Sequence, residues 1–455
     1  MTLRRCVWGL IQIPLNAARY LRHRSRPFFH RRRLPEMEAR AVEGYTDKLS
    51  YCPGQVIRFY LHSDTGYGRL EIRHLEGPAS RSRAPGPVAV INWSDSKQSG
   101  VPWTRRSREG CGWTVTLEVP VDGRFSRGYY ECRLGADGRD PASSINFIVQ
   151  DSTPRRVLLL APCTTWVAYN NYGGQSFYEN GVDGTPPHFL SARRPNHQRR
   201  IPSAFDFFDL EVEAHAFNWF AERWPEDISL MPDYALEGPL EGVSIVVLLY
   251  HCEYVTGAMY RGLRRLARRA SLLNLGANQV YWQVRWHQQY TLLECRKDYT
   301  FFKGTLVRGK LWRHSFFPEE ALFGVCYSPP GEGSYAPFQV VRANHWLMSG
   351  AACLFGVHGI TGYPVCGDET DKPVYGFARK LDILASGLNG SSTVHGAVYP
   401  DTAYAWDASG GGCITFFSPG PGMGVLSLGS IHTAAGLGVD AVLDSIVSRF
   451  VDRYR

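Results

Sequence analysis

Between residues 55 and 63 apolar and polar side chains alternate, with Ile57, Phe59 and Leu61 on one side and Arg58 and Tyr60 on the other. A period of two marks a strand with one buried face. Shorter runs of similar character follow at 70–75, 113–119, 129–134 and 145–149, punctuated by Gly, Pro, Ser and Asp, as in Pro85-Gly86-Pro87. Nothing between them follows a helical period. Strands at this spacing predict a β-sandwich over residues 37–150.

The pattern changes after residue 150. Val157-Leu158-Leu159-Leu160 is continuously apolar, as in a strand buried on both faces. Residues 204–224 carry Phe207, Leu210, Phe217 and Phe220 at helical spacing among acids. A second apolar strand is predicted at 243–250, an Arg-rich amphipathic helix at 257–269, and a third strand at 270–275 that leads into Gly276-Ala277-Asn278. Strand and helix in alternation predict parallel pairing with right-handed crossovers. The expected fold class is therefore α/β plus all-β: the sandwich, then a doubly wound, mostly parallel α/β domain over 151–455, of amidotransferase or flavodoxin type. From about residue 300 that domain becomes rich in short β pieces and loops, and a helix at 440–454 closes it.

Composition narrows the class. With 44% hydrophobic and 13% aromatic residues, a chain of 455 residues can build more than one well-packed core. The net charge of +8 is concentrated: residues 1–35 hold nine arginines and no acid, so the remainder is close to neutral and no nucleic-acid partner is expected. Residues 1–36 read as a basic, flexible N-terminal extension that docks on a neighbouring subunit, with an organelle transit peptide or a membrane-surface segment as the alternatives. Gln12, Pro14 and Asn16 break its apolar part, which is too short to span a bilayer, and no transmembrane segment is expected elsewhere. The face Arg261, Arg264, Arg265, Arg268 and Arg269 reads as solvated. Eleven cysteines without a CxxC pair argue against a zinc ribbon or disulfide framework, so a cytoplasmic protein is expected.

Candidate chemistry gathers at the ends of the predicted strands, where open α/β sheets bind ligands. The first strand runs into a segment with Trp166, Tyr169, Asn170, Tyr172 and Tyr178 around Gly173-Gly174. The second runs into His251-Cys252-Glu253-Tyr254. In extended chain His251 and Glu253 share a side, as an acid/base pair or a metal ligand with its partner would require. The simpler role for Glu253 is to favour the start of the next helix. Cys252 occupies a strand-to-helix turn where a nucleophile is often placed, but without glycines on either side.

Gly44-Tyr-Thr-Asp-Lys-Leu-Ser50 with Pro53-Gly54, Gly128-Tyr129-Tyr130, Thr165-Trp-Val-Ala-Tyr169-Asn170, His251-x-Glu253-Tyr254 and Gly276-Ala277-Asn278 occur in an order that resembles the N,N-dimethylformamidase large-subunit family. His345-Trp346 with Ser349-Gly350, Thr361-Gly362-Tyr363 and Leu428-Gly429-Ser430-Ile431 extend the resemblance to roughly residues 40–435. It implies a mononuclear, trivalent iron held by two tyrosines and a glutamate. Glu253 matches the glutamate, Tyr169 one tyrosine with Tyr172 as its alternative, and Tyr130 the other. His251 and Asn278 match residues that orient water and substrate. The implied activity is hydrolysis of a small amide or N-substituted formamide, with a small companion subunit in addition to an expected homo-oligomer. Two departures concern substrate: Val255 follows Tyr254 where the family has Trp, and Pro364 follows Tyr363 where it has an acid. Two other readings stand beside this one, a carbohydrate- or ligand-binding protein with an aromatic platform and an amidotransferase-like enzyme that uses Cys252.

Overall fold

The computed structural model describes residues 41–76, 86–135, 143–181, 184–196, 210–315, 318–328, 334–373, 380–389 and 411–455. The expected N-terminal extension and the first residues of the helix expected at 204–224 lie outside the described residues.

Two sheets are built from the first part of the chain. Val42–Thr46, Val56–Ser63 and Leu117–Pro120 form one, antiparallel throughout. Ser50–Tyr51, Ser143–Val149, Gly128–Gly135, Gly68–His74 and Ala89–Trp93 form the other, in that order, with only the first pair parallel. Ile57, Phe59 and Leu61 from the first sheet and Leu70, Ile72, Cys132 and Phe147 from the second lie in one hydrophobic cluster. The helix Trp103–Glu109 between them was not expected from the periodicity, since after Trp103 it runs through six polar or charged residues in succession, Thr104 to Glu109, before Gly110 ends it at φ 78°.

A nine-stranded sheet follows. Ile228–Pro232, Val157–Ala161, Ile245–Leu248, Ser271–Asn274 and Met423–Ser427 are adjacent and parallel. Cys413–Gly420, Asp382–Gly387, Phe338–Val340 and Leu354–Phe355 extend it antiparallel. The parallel strands are apolar on both faces because both faces are covered. Leu159, Val247 and Leu273 pack in a cluster with Phe217 and Phe220 of helix Leu210–Arg223 and with Ile446 and Phe450 of the C-terminal helix Ala441–Tyr454. Leu158, Leu160, Val246 and Leu272 pack on the opposite side with Met259 and Leu263 of helix Gly257–Leu266. A smaller sheet, Phe189–Ser191, Leu292–Cys295, Trp282–His287 and Tyr254–Thr256, reaches the carboxyl end of Val157–Ala161, where Trp286 donates to Thr164 Oγ1 at 3.3 Å.

Neighbouring tyrosines on one strand connect the two parts. Tyr130 points into the β core, whereas Tyr129, one residue earlier and so on the opposite face, packs 6.1 Å from Trp166 and 6.0 Å from Phe217 by ring centroids. Arg127 donates to Ile228 O at 2.8 Å, and Asn218 to Leu75 O at 2.9 Å. No helix among the described residues is long and apolar enough to cross a membrane.

Candidate active site

The segment after Val157–Ala161 forms the short helix Cys163–Tyr169 after Pro162. Its last residue is Tyr169. The chain then reverses at Gly173 and Gly174, whose φ values of 85° and 81° suit glycine. The amide of Phe177 returns to Ala168 O at 2.9 Å, which lays Tyr178 against Tyr169 with ring centroids 4.6 Å apart.

The second site segment leaves strand Ile245–Leu248 through Tyr250, a residue with φ 55°. His251 and Glu253 do share a side: His251 Nε2 lies 3.4 Å from Glu253 Oε2. The third segment, after Ser271–Asn274, supplies Ala277 O, 3.0 Å from His251 Nδ1, and Asn278, with φ 50°. The two segments press together so closely that a Cβ on Gly276 would come 1.7 Å from Tyr250 O. Gln279 joins them further, donating to Tyr250 O at 2.8 Å and accepting from the Cys252 amide at 2.7 Å.

At the centre Tyr169 donates to Glu253 Oε2 at 2.6 Å, and Tyr178 donates to Glu253 Oε1. The Glu253 amide donates to Thr165 Oγ1 at 3.1 Å. Asn278 Nδ2 donates to Glu369 Oε2 at 2.7 Å, and the same carboxylate oxygen is 3.7 Å from His251 Nε2. With Nδ2 so engaged, Asn278 Oδ1 is buried without a hydrogen-bond partner among the described residues. The Lys297 ammonium lies 3.6 Å from the Tyr178 ring centroid, 4.8 Å from Trp282 and 5.2 Å from Tyr254.

His251, Glu253, Asn278, Lys297 and Glu369 are buried and the rings of Tyr169 and Tyr178 half-buried, so the charges act on one another strongly. Burial opposes a charge on His251, but its hydrogen bond to Glu253 and the charge of Glu369 outweigh that and push it up to about 9. Burial pulls Lys297 down to about 8 despite Glu253 and Glu369. Burial and the Glu253 charge hold the Tyr169 and Tyr178 phenols well above their ordinary value. Asp371, which accepts from the Asn278 amide at 2.8 Å, is pushed up to about 7 by burial.

The structure thus brings Tyr169, His251, Glu253 and Asn278 together and leaves two expected residues elsewhere. Tyr130 is in the β core, stacked on Phe147 at 5.4 Å and donating to Ser126 O at 2.8 Å. Tyr172 turns away from Glu253 and donates to Glu43 Oε2 at 2.6 Å. The second phenol at Glu253 belongs to Tyr178 instead; the two glycines before it were the signal that the chain doubles back. Lys297 and Glu369 were missed, because neither stands in a run that distinguishes it from an ordinary charged residue. Cys252 is buried, and burial pushes its thiol well above the ordinary range, the reverse of what a nucleophile needs. A separate buried group, Glu319, Glu320 and Cys326, has ligand atoms within 4.8 Å of one another, but Arg313 pairs with Glu319 at 2.8 Å.

Comparison with curated proteins finds no match. A family model, "N,N-dimethylformamidase beta subunit-like, C-terminal", matches residues 80–444, a stretch that holds every residue of the site just described. By that match, over most of its length, the chain belongs to the N,N-dimethylformamidase beta subunit-like family.

Proposed function

We propose that this protein is an amide hydrolase for a small amide or N-substituted formamide, dependent on one trivalent iron ion held by Tyr169, Tyr178 and Glu253. The observation that carries the reading is the meeting of two phenols on the two oxygens of one buried carboxylate. Three hard, potentially anionic oxygen donors suit a trivalent cation, and three protein ligands leave positions open for other molecules. Phenols held well above their ordinary range would lose their protons there only against a strong positive charge. The orphaned Asn278 Oδ1 supports a site built for a further polar molecule. When bound, the ion supplies Lewis-acid chemistry, polarising an amide carbonyl.

The remaining roles belong to the chain. His251 is fixed by Ala277 O on Nδ1, so Nε2 faces the carboxylates and is the atom that holds and releases a proton, including the one the departing amine needs. Glu369 keeps that proton close, and Asn278 holds Glu369 in place while offering Oδ1 to a water or amide N–H. Lys297 adds positive charge beside the Tyr178 ring and favours negative charge developing on the substrate. The finer architecture that we infer is a β-sandwich over 37–150 joined to an α/β domain over 151–455, with a companion subunit in the assembly and a cytoplasmic location.

The half-buried rings of Tyr169 and Tyr178 are tilted 40° to one another and stand edge-on to the buried Tyr254, rather than lying side by side as a flat sugar platform would. Metal analysis with a visible spectrum tests the proposal. Stoichiometric iron and a phenolate-to-iron absorption band are expected, and both should be lost in Glu253→Ala. A colourless protein that binds no iron would overturn it.

A further inference from the structure

We propose that Arg194 is a positioning residue for the two phenols: its guanidinium fixes the backbone between them so that Tyr169 and Tyr178 meet at Glu253. The inference rests on the reading that these three side chains hold the ion. Arg194 follows the edge strand Phe189–Ser191 and is 1% exposed. It donates through Nε to Ser191 O at 2.8 Å, through Nη1 to Gln175 O at 3.2 Å and to Tyr172 O, and through Nη2 to Asn170 O at 2.7 Å and Val167 O at 3.4 Å. A guanidinium has five N–H donors in a planar fork, and here every arm of that fork is used on main-chain carbonyls.

Four of those carbonyls lie between residues 167 and 175, the stretch that carries the chain from Tyr169 to Tyr178. Val167 and Asn170 stand at the C-terminal end of helix Cys163–Tyr169, where carbonyls lack intrahelical donors and negative charge accumulates. Tyr172 and Gln175 flank the glycine reversal. One cation therefore ties the end of the helix to the turn that brings the second phenol back. The outer side of the same turn is pinned independently: Tyr172 donates to Glu43 Oε2 at 2.6 Å, and Arg106 donates to the Tyr172 hydroxyl at 2.9 Å. Tyr172 is thus a peg for the loop, and Arg194 its inner clamp. A lysine at 194 keeps the charge but has three donors from one atom and cannot span carbonyls on both sides of the turn.

The test compares Arg194→Met and Arg194→Lys with the unaltered protein in two states. In metal-stripped protein labelled with 3-fluorotyrosine, Tyr169→Phe, Tyr178→Phe and Tyr130→Phe assign three fluorine signals. The Tyr169 and Tyr178 signals should shift or broaden in Arg194→Met while that of Tyr130, in the β core, stays in place. In iron-loaded protein the phenolate absorption should weaken and kcat should fall about 10- to 100-fold with KM within about 3-fold, the size of effect that small misplacement causes. Arg194→Lys should recover part of each loss, and it carries the comparison if Arg194→Met does not fold. Variants that melt at a lower temperature yet keep both fluorine signals and the absorption would show a purely structural residue and overturn the proposal. An unaltered protein without iron or colour would overturn the metal reading alone, and the fluorine comparison would still decide the role of Arg194.

Discussion

Tyr178 donates its phenolic proton to Glu253, a residue 75 positions later in the chain. The pair closes a three-residue oxygen cluster whose other phenol, Tyr169, is bonded to the second oxygen of the same carboxylate. Replacing Tyr178 by Phe should therefore abolish the phenolate absorption change expected of that ligand and lower kcat by on the order of 100-fold. Tyr130→Phe, by contrast, removes only a hydrogen bond to Ser126 O within the β core. It should leave iron content intact and cost about 1 kcal/mol of stability. Iron analysis and thermal melts on the two variants separate these outcomes, and reversed results would restore Tyr130 to the site.

The contrast also shows how far the sequence is legible. Period two identified strands such as Val56–Ser63, and continuous apolar runs identified the parallel strands Val157–Ala161 and Ile245–Leu248, because solvent exposure and two-sided burial write directly into side-chain polarity. His251-x-Glu253 was legible for the same reason: a spacing of two keeps side chains together in extended chain. Which phenols meet was not legible, since it depends on a short helix and a glycine reversal that decide where a tyrosine nine residues on is pointing. Lys297 and Glu369 arrive from distant segments through tertiary packing, and no local pattern announces them.

Gly276 permits the contact between the segments that carry His251 and Asn278. An added Cβ would meet Tyr250 O at 1.7 Å and Tyr250 C at 2.8 Å, and backbone atoms in a strand-end turn cannot yield as a side-chain tip does. Gly276→Ala should thus destabilise the protein by about 2–3 kcal/mol and depress kcat, read by denaturant unfolding and steady-state kinetics. Unchanged kinetics in a folded variant would mean that the spacing of these segments does not matter to turnover.

Cys252 and Glu369 offer a discriminating pair of substitutions. Cys252→Ser should retain activity within about 3-fold, because the thiol is buried and held protonated. Glu369→Gln removes the negative charge beside His251 while leaving Tyr169, Tyr178 and Glu253 untouched. It should keep its iron and lose kcat by about 10- to 100-fold. Activity that disappears with Cys252 and survives without Glu369 would favour a thiol mechanism.

Asp233 supplies a pH test of stability away from the proposed iron ligands. It accepts from the Thr164 amide and hydroxyl, and burial pushes its carboxyl up to about 7 from the ordinary 3.8. The folded state therefore keeps a proton that the unfolded chain releases. Its contribution to stability is full below about pH 4 and declines as pH rises through 7, by at most a few kcal/mol. Asp233→Asn should show a flatter dependence of melting temperature between pH 4 and 7 than the unaltered protein; equal slopes would contradict the assignment.

The parallel half of the nine-stranded sheet, covered on both faces, has a consequence for durability. Its strands Val157–Ala161, Ile245–Leu248 and Ser271–Asn274 are fully buried, and each ends in a segment that supplies part of the oxygen cluster or of the groups proposed to carry protons beside it. Backbone amides in such strands exchange with solvent only through large-scale opening. Heat should therefore leave turnover competent until the cooperative melt itself, with little prior inactivation, because the frame that sets the reacting groups is also the last part of the chain to come apart.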